Sequence, residues 1–228
     1  MQHFWIVGTD TDVGKTFVTT TMLRQVQALG YDAVPYKPVQ TGEIERDGRK
    51  TYYDTAMYQQ YSLQPLDETK MNGYAYKVPA SPHYAAQLEG KVIDEQVILS
   101  QLASLQQQHD VVICEGAGGL FVPLKTDSTY CLIDLIKATK LPVILVAKTG
   151  LGTINHTLLS VEALHHRGIV IKGIVYNGNE GSEMETNNIE TMIAHTQLPY
   201  AVLPKVAEEQ ALTNLNFEQT TLLEALQK

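Results

Sequence analysis

Short apolar runs alternate with helical patterns along this chain. Residues 4–7, 111–114, 143–147 and 169–176 form such runs, and turn residues bound each of them. Runs of this length are typical of strands that are buried on both faces, while the intervening helical patterns supply the covering layers. The pattern therefore predicts an α/β fold, with a mostly parallel β-sheet flanked by helices on both faces.

The first helix is predicted to begin near Lys15 and to stop at Gly30. Apolar residues recur between them at helical spacing, and a glycine is a common C-terminal stop. A second strand is predicted over residues 31–36, ending at Lys37-Pro38. Further helices are predicted before the strands at 111 and 169. The apolar positions of the three helices are Val18, Met22, Val26 and Leu29; Ile98, Leu102 and Leu105; and Ile154, Leu158 and Val161.

Composition narrows the class of protein. The 228 residues include 17 Lys and Arg against 25 Asp and Glu, a formal net charge of −8, which is unfavourable for bulk binding to nucleic acid or to an anionic membrane. With 44% hydrophobic and 18% charged residues, we expect a single globular domain over residues 1–228. The absence of a long charge-free stretch predicts no membrane span and a cytoplasmic protein. Cys114 and Cys131 are too few for a disulfide framework and are expected to be reduced, buried apolar residues.

Residues 8–16, with the sequence GTDTDVGKT, join the first predicted strand to the first predicted helix. Backbone N–H groups of such a loop bind phosphate, Lys15 adds positive charge, and the Thr16 hydroxyl can ligate Mg²⁺. The spacing departs slightly from the usual motif, because Thr9 stands where the first glycine is expected. Asp10 and Asp12 are expected to turn away from the phosphates, with Asp12 facing solvent or capping the helix. The context predicts a P-loop NTPase-like fold that binds a nucleotide.

Glu115 directly follows the apolar run at 111–114, and a glycine-rich segment comes after it. An unpaired charge at the end of a buried strand is costly, so a metal or a cationic partner is predicted there. The alternative is an exposed glutamate in a turn. The glycines would let the backbone approach a phosphate or a substrate closely.

Three further polar residues each have two interpretations. Asp54 begins a short helical segment, where an acid is often only a favourable partner of the helix dipole. Lys37 is either a solvated lysine or a charge that neutralises a transferring group. Asn177 either reads a base edge or forms a plain turn with Gly178. The tyrosine-rich stretch at 41–84 is expected to be less regular, with most of its rings half-buried by packing.

Together these segments resemble the dethiobiotin synthetase family. The resemblance is carried by residues 8–16, 36–42, Asp54, 115–119 and 150–156, and it is weaker after about Asn179. It implies an ATP-dependent carboxylation and ring closure of 7,8-diaminononanoate with CO₂, which yields dethiobiotin, ADP and phosphate in biotin biosynthesis. In that reaction one amine forms a carbamate, the carbamate attacks the γ-phosphate of ATP, and the second amine closes the cyclic urea and expels phosphate.

The resemblance also implies roles for individual residues. Lys15 and Lys37 would stabilise the phosphoryl and carbamate charge, Mg²⁺ would be held by Thr16, Asp54 and Glu115, and Thr41 with Lys37 would contact the diamine or its carbamate. Family members are homodimers whose substrate reaches the neighbouring subunit, which points to Leu151 and Asn155. The implied ATP-binding residues are Asp12, Val13, Gly14, Lys15, Thr16, Phe17, Asp54, Glu115, Gly116, Ala117, Gly118, Asn177, Pro204, Lys205 and Val206.

Two other classes share the early motif. A nucleotide-switched partitioning or positioning ATPase carries a signature lysine five residues before the Gly-Lys-Thr lysine, and Asp10 occupies that position here. An amidotransferase of the cobyrinic acid type would need a further domain with a nucleophilic cysteine, whereas Cys114 lies inside a predicted strand. The residues therefore favour the synthetase interpretation, and the partitioning ATPase is its main alternative.

Overall fold

The computed structural model describes residues 1–46, 48–126, 128–215, 217 and 221–227 of the chain. The strands are β1 (Phe4–Gly8), β2 (Ala33–Thr41), β3 (Glu43–Arg46), β4 (Arg49–Tyr52), β5 (Asn72–Tyr76), β6 (Val111–Gly119), β7 (Val143–Ala147), β8 (Ile171–Asn179) and β9 (Tyr200–Pro204). The helices are α1 (Lys15–Ala28), α2 (Tyr53–Tyr61), α3 (Glu68–Met71), α4 (Pro82–Leu88), α5 (Glu95–Gln108), α6 (Leu132–Thr139), α7 (Thr153–His166), α8 (Glu183–Thr196) and α9 (Thr221–Gln227), and a 3₁₀ helix covers Glu209–Asn214.

Seven of these strands form one parallel sheet in the order β5-β2-β6-β1-β7-β8-β9, and β3 and β4 form a separate antiparallel hairpin. Alternate residues of β1 enter the two apolar layers: Trp5 and Val7 face one, and Phe4 and Ile6 face the other. Helices cover both layers, as the apolar runs predicted. The carboxyl ends of parallel strands meet at one edge, which is where ligands bind in such sheets. Among the described residues no helix is long and apolar enough to cross a membrane.

Several predicted boundaries are confirmed. Helix α1 begins at Lys15, and β7 coincides with residues 143–147. The predicted apolar positions of the two later helices lie in α5 and α7. Cys114 is buried and Cys131 is partly exposed, and both are free thiols.

The prediction that the second strand ends at Lys37-Pro38 is wrong, because β2 continues to Thr41. Up to Tyr36 the strand pairs with β6, and from Lys37 onwards it pairs with β5. Pro38 is tolerated because that stretch has a partner on one side only, so a missing N–H need not interrupt a ladder. The added residues of β2 place Lys37 and Thr41 at the edge of the sheet where the loop after β1 lies.

Two other strands also extend beyond their predicted carboxyl ends. Strand β6 extends to Gly119, so Glu115 lies inside the strand rather than at its end. Strand β8 begins at Ile171 and extends to Asn179, so Asn177 belongs to the strand and does not form a plain turn with Gly178. The stretch at 41–84 is also more regular than expected, since it contains the β3–β4 hairpin, β5 and three helices (α2, α3 and the start of α4).

Candidate functional site

The loop between β1 and α1 packs closely against Asn177 of β8. Gly14 has φ +92°, a left-handed conformation, and a Cβ at this position would lie 2.0 Å from Asn177 Nδ2. Asn177 Nδ2 donates to the Val13 carbonyl oxygen at 3.0 Å. Glycine is therefore required at position 14 both by the backbone conformation and by the close approach of β8.

The two acidic residues of the loop lie at the protein surface, and Asp12 also lines the cavity described below. The Asp10 and Asp12 side chains are exposed. Gly14 is the N-cap residue of α1 and there is no side-chain cap, so the capping role considered for Asp12 is wrong. Lys15 Nζ donates to the backbone carbonyl of Asp10 at 2.8 Å. Burial, with a smaller contribution from the neighbouring Lys37, lowers the pKa of Lys15 to about 8.

Lys37 lies between two carboxylates at the centre of the site. Its Nζ is 2.6 Å from Asp54 Oδ2 and 2.6 Å from Glu115 Oε1, and the side chains of Lys37 and Glu115 are only 6% and 1% exposed. Nζ also donates to the Gly116 carbonyl oxygen at 3.2 Å. The solvated interpretation of Lys37 and the exposed-turn interpretation of Glu115 are therefore wrong, and the cationic partner predicted for Glu115 is Lys37.

The charges of this cluster stabilise one another. Burial alone favours neutral Lys37, but the charges of Asp54 and Glu115 outweigh it and raise the pKa of the ammonium above its ordinary value. Burial likewise opposes ionisation of Asp54, and the charge and hydrogen bond of Lys37, followed by the hydrogen bond from Thr16, hold the pKa of that carboxyl below its ordinary value. Lys37 and Asp54 therefore both stay charged at neutral pH.

Three oxygens of this cluster suit a divalent cation. Thr16 Oγ1 lies 2.8 Å from Asp54 Oδ1 and 2.9 Å from Glu115 Oε1. A hydroxyl has a single proton and cannot donate to both carboxylates at once. Hard oxygen ligands are what Mg²⁺ requires, and it usually combines one or two carboxylates with substrate phosphates. Within the described ranges, no group of three or more His, Cys, Asp or Glu side chains could hold a metal ion.

A cavity of about 690 Å³ opens over this cluster. It brings together most of the residues proposed from the sequence: Asp12, Gly14, Lys15, Thr16, Phe17, Lys37, Thr41, Asp54, Glu115, Ala117 and Gly118. Val13 is buried beneath the loop, and Gly116 contributes its carbonyl oxygen to Lys37. The elements that supply these residues are the loop after β1, the first turns of α1 and α2, and the carboxyl-terminal parts of β2 and β6.

The remaining proposed residues lie outside this cavity. Asn177 is hydrogen-bonded to the backbone of the loop. Pro204 ends β9 and is followed by Lys205 and Val206. Lys205 is exposed, its N–H donates to the Asn179 carbonyl oxygen at 2.9 Å, and its ammonium pairs with Glu180. Leu151 and Asn155 are exposed at the start of α7 and do not line the cavity of their own chain.

Sequence reasoning missed several residues of the site. Gln40, Tyr53 and residues 79–82 also line the cavity, and no local signal marked them. Tyr58 was assigned to packing, yet its hydroxyl donates to Glu115 Oε2. Its position four residues after Asp54 was a usable signal, since residues at that spacing share one face of a helix.

The loop that carries Leu151 is fixed by Glu185 at the start of α8. Glu185 accepts a hydrogen bond from the Thr149 hydroxyl at 2.5 Å and others from the N–H groups of Glu180 and Ser182. Asn188 donates to the Thr149 carbonyl oxygen at 2.8 Å. One buried carboxylate therefore connects the loop after β7 to the loop after β8.

Glu185 also predicts an acid sensitivity. The Thr149 hydrogen bond and those from the Ser182 and Glu180 backbone lower the pKa of Glu185 from its ordinary value of 4.5 to about 2. A depressed pKa stabilises the fold above the ordinary pKa, and this contribution is lost as pH falls through the native one. We expect Glu185→Gln to reduce the pH dependence of the free energy of unfolding between 4.5 and 2, measured by urea titration. Glu190→Gln, on an exposed position of the same helix, is the control; equal slopes for both variants and the unmodified chain would contradict this assignment.

The chain is similar to proteins of one family along almost all of its length. A family model described as an AAA domain matches residues 2–215. An ATP-dependent dethiobiotin synthetase BioD from Lysinibacillus sphaericus (strain C3-41) is 55% identical over 226 residues, which cover 99% of this chain and 97% of that protein. The protein of the same name from Halalkalibacterium halodurans is 43% identical over 203 residues, covering 87% of this chain and 82% of that protein.

Solved structures provide a more distant comparison. The septum site-determining protein MinD in complex with Mg-ADP, from Pyrococcus horikoshii OT3, has a TM-score of 0.61 and 16% sequence identity, covering 99% of this chain and 86% of that chain. At this identity the likeness establishes a shared P-loop fold and carries no information on activity.

Proposed function

The chain belongs to the ATP-dependent dethiobiotin synthetase family, and on that premise we propose that it converts 7,8-diaminononanoate, CO₂ and ATP into dethiobiotin, ADP and phosphate. The observation that carries this proposal for the present residues is the buried Lys37, which lies between Asp54 and Glu115 in a cavity shared with the phosphate loop. Because the proposed reaction consumes ATP, we also propose that the enzyme acts in the cytoplasm.

The reaction needs charge neutralisation rather than a covalent enzyme intermediate. An amine of the substrate attacks CO₂ and loses a proton, which gives a carbamate. A carbamate oxygen attacks the γ-phosphorus and breaks its bond to ADP, and the second amine then attacks the resulting carbonyl, loses a proton and expels phosphate. Each step concentrates negative charge on oxygens, so positioned cations are the main requirement.

The residues of the cavity meet that requirement. Lys15 is the cation of the phosphate loop, and Lys37 projects from β2 into the same cavity. Thr16, Asp54 and Glu115 would hold Mg²⁺, which when bound neutralises part of the phosphate charge. With both carboxylates engaged there, the Lys37 ammonium can turn to the carbamate and the transferring phosphoryl group. Thr41 lines the same cavity and would contact the diamine.

We also propose that the functional unit is a homodimer. Phe121 and Leu159 are each more than half exposed and line a groove of about 790 Å³, and Leu151, in the loop before the same helix as Leu159, is 92% exposed. Clustered exposed apolar side chains commonly mark interfaces. A second copy covering this surface would bring its Leu151 and Asn155 towards a neighbouring cavity, in line with the family resemblance.

Mixing two inactive variants tests this arrangement. If Lys37 of one subunit and Asn155 of the other serve one site, a Lys37→Ala and Asn155→Ala mixture forms mixed dimers with one intact site each, because a two-fold interface is shared symmetrically. Random reassociation is expected to restore about a quarter of the unmodified activity. Steady-state turnover measured before and after mixing reports the result; a mixture no more active than its components would argue against a shared site.

The activity itself is tested by phosphate release from Mg-ATP with CO₂ present. We expect release to depend strictly on added 7,8-diaminononanoate, with a cyclic urea product detected by mass spectrometry. A hydrolysis rate that does not depend on the diamine, or that DNA or lipid increases instead, would support the partitioning ATPase. Asp10, at the position of that class's signature lysine, and the family relatives both count against the alternative.

A further inference from the structure

Tyr58 contacts Glu115, one of the two carboxylates that pair with Lys37. It lies in α2, its side chain is fully buried, and its hydroxyl donates a hydrogen bond to Glu115 Oε2. Lys37 and Thr16 approach the other oxygen of the same carboxylate, Oε1, at 2.6 and 2.9 Å. The two oxygens of Glu115 are therefore held by different groups.

Helix α2 supplies both Asp54 and Tyr58. They are four residues apart, so they lie on the same face of the helix, one turn from each other. Asp54 Oδ1 lies 2.8 Å from Thr16 Oγ1. Thr16 is in the first turn of α1, directly after the phosphate loop. One helix therefore provides one carboxylate of the cluster and the hydroxyl that orients the other.

The burial of Glu115 makes this hydroxyl important. A carboxylate that is 1% exposed is costly to leave without hydrogen-bond donors. Two of its donors have other tasks in the proposed reaction: Lys37 turns to the reacting groups, and the Thr16 hydroxyl oxygen is a cation ligand. Tyr58 has no task in the cavity and can keep donating throughout.

We propose that Tyr58 is a positioning residue of the magnesium site: its hydroxyl holds Glu115 Oε2 so that Oε1 stays directed at the Thr16 and Asp54 oxygens. This inference rests on the proposed function only in taking Glu115 as a Mg²⁺ ligand. Groups that hold metal ligands in place commonly contribute about 10- to 100-fold to metal affinity.

Calorimetric titration with a non-hydrolysable ATP analogue tests the proposal without diamine or turnover. The analogue is titrated into each variant with Mg²⁺ and with EDTA, and the ratio of the two affinities is the magnesium gain. Tyr58→Phe is expected to reduce this gain about tenfold while leaving the affinity in EDTA nearly unchanged. Tyr61→Phe, one turn further along the same helix, is the control and is expected to keep the gain of the unmodified chain.

Equal magnesium gains for Tyr58→Phe and the unmodified chain would overturn the proposal. Equal loss of affinity in Mg²⁺ and in EDTA would also overturn it, because a merely structural tyrosine would affect both. A chain without any magnesium gain would contradict the metal site itself, whereas diamine-independent hydrolysis with a normal gain would contradict only the proposed reaction.

A double variant keeps the test valid if Tyr58→Phe alone does not fold. Glu115→Gln removes the buried charge that Tyr58 serves, and removing both partners of a buried pair is far less costly than removing one. We expect Glu115→Gln and the double variant Glu115→Gln/Tyr58→Phe to have the same magnesium gain, because Tyr58 acts through Glu115. A further loss in the double variant would overturn the proposal.

Discussion

Lys37→Ala is expected to lower kcat by about 10²- to 10³-fold while the KM for ATP changes by less than about threefold. Lys37 projects from β2 into the cavity, beside the phosphate loop but on a different element, so the loop contacts that bind the nucleotide remain. In the proposed reaction its charge acts where negative charge develops, and an interaction made only in the transition state changes kcat rather than binding. Steady-state kinetics at saturating diamine, with ATP varied, measures both parameters.

The substitution also leaves Asp54 and Glu115 without their cation. Loss of one partner from a buried ion pair typically costs about 3–5 kcal/mol, so thermal unfolding must be measured alongside activity. Lys50→Ala is a suitable control, because Lys50 is exposed and its ion pair with Glu43 lies on the hairpin. An equal loss in kcat and in ATP affinity, with the fold intact, would contradict the assigned role of Lys37.

Glu115→Gln is expected to raise the Mg²⁺ concentration needed for half-maximal activity by at least about tenfold. The amide is nearly the same size, so the contacts of β6 with β1 and β2 are preserved, but a hard anionic ligand is lost. Excess Mg²⁺ should recover part of the turnover. Titration of activity with Mg²⁺ at fixed ATP measures the shift.

The matched control is Glu43→Gln, at a glutamate that pairs with Lys50 away from the cavity. It is expected to leave the Mg²⁺ requirement unchanged. If the Mg²⁺ titration of Glu115→Gln coincided with that of the control, Glu115 would not be a metal ligand, and the Tyr58 proposal would fail with it.

The sequence predicts those parts of the fold that depend on local pattern. Strand β7 is a continuous apolar run bounded by turn residues. Helix α1 begins directly after Gly14, the last glycine of the phosphate loop. The boundaries that were wrong depend on partners distant in sequence. Strand β2 passes through Pro38 because β5 is there to pair with Lys37, and β5 lies in the stretch at 41–84 where no clear period was visible.

The same distinction holds in the site. The loop at 8–16 and Glu115 are visible in the sequence because each follows an apolar run. The burial of Lys37 between Asp54 and Glu115 is not visible, since these residues come from three elements that only the fold brings together. Tyr58 has an ambiguous role for the same reason: helical spacing places it beside Asp54, but only the tertiary structure places Glu115 above its hydroxyl.

In the proposed reaction a carbamate oxygen, and not water, attacks the γ-phosphate in this cavity. The most direct test uses freshly dissolved ¹⁸O-labelled CO₂ with Mg-ATP and 7,8-diaminononanoate, quenched early and analysed by mass spectrometry. We expect each released phosphate to carry one labelled oxygen from the carbamate and the urea carbonyl of the product to carry the other. Unlabelled phosphate, released at the same rate as the cyclic product, would contradict it.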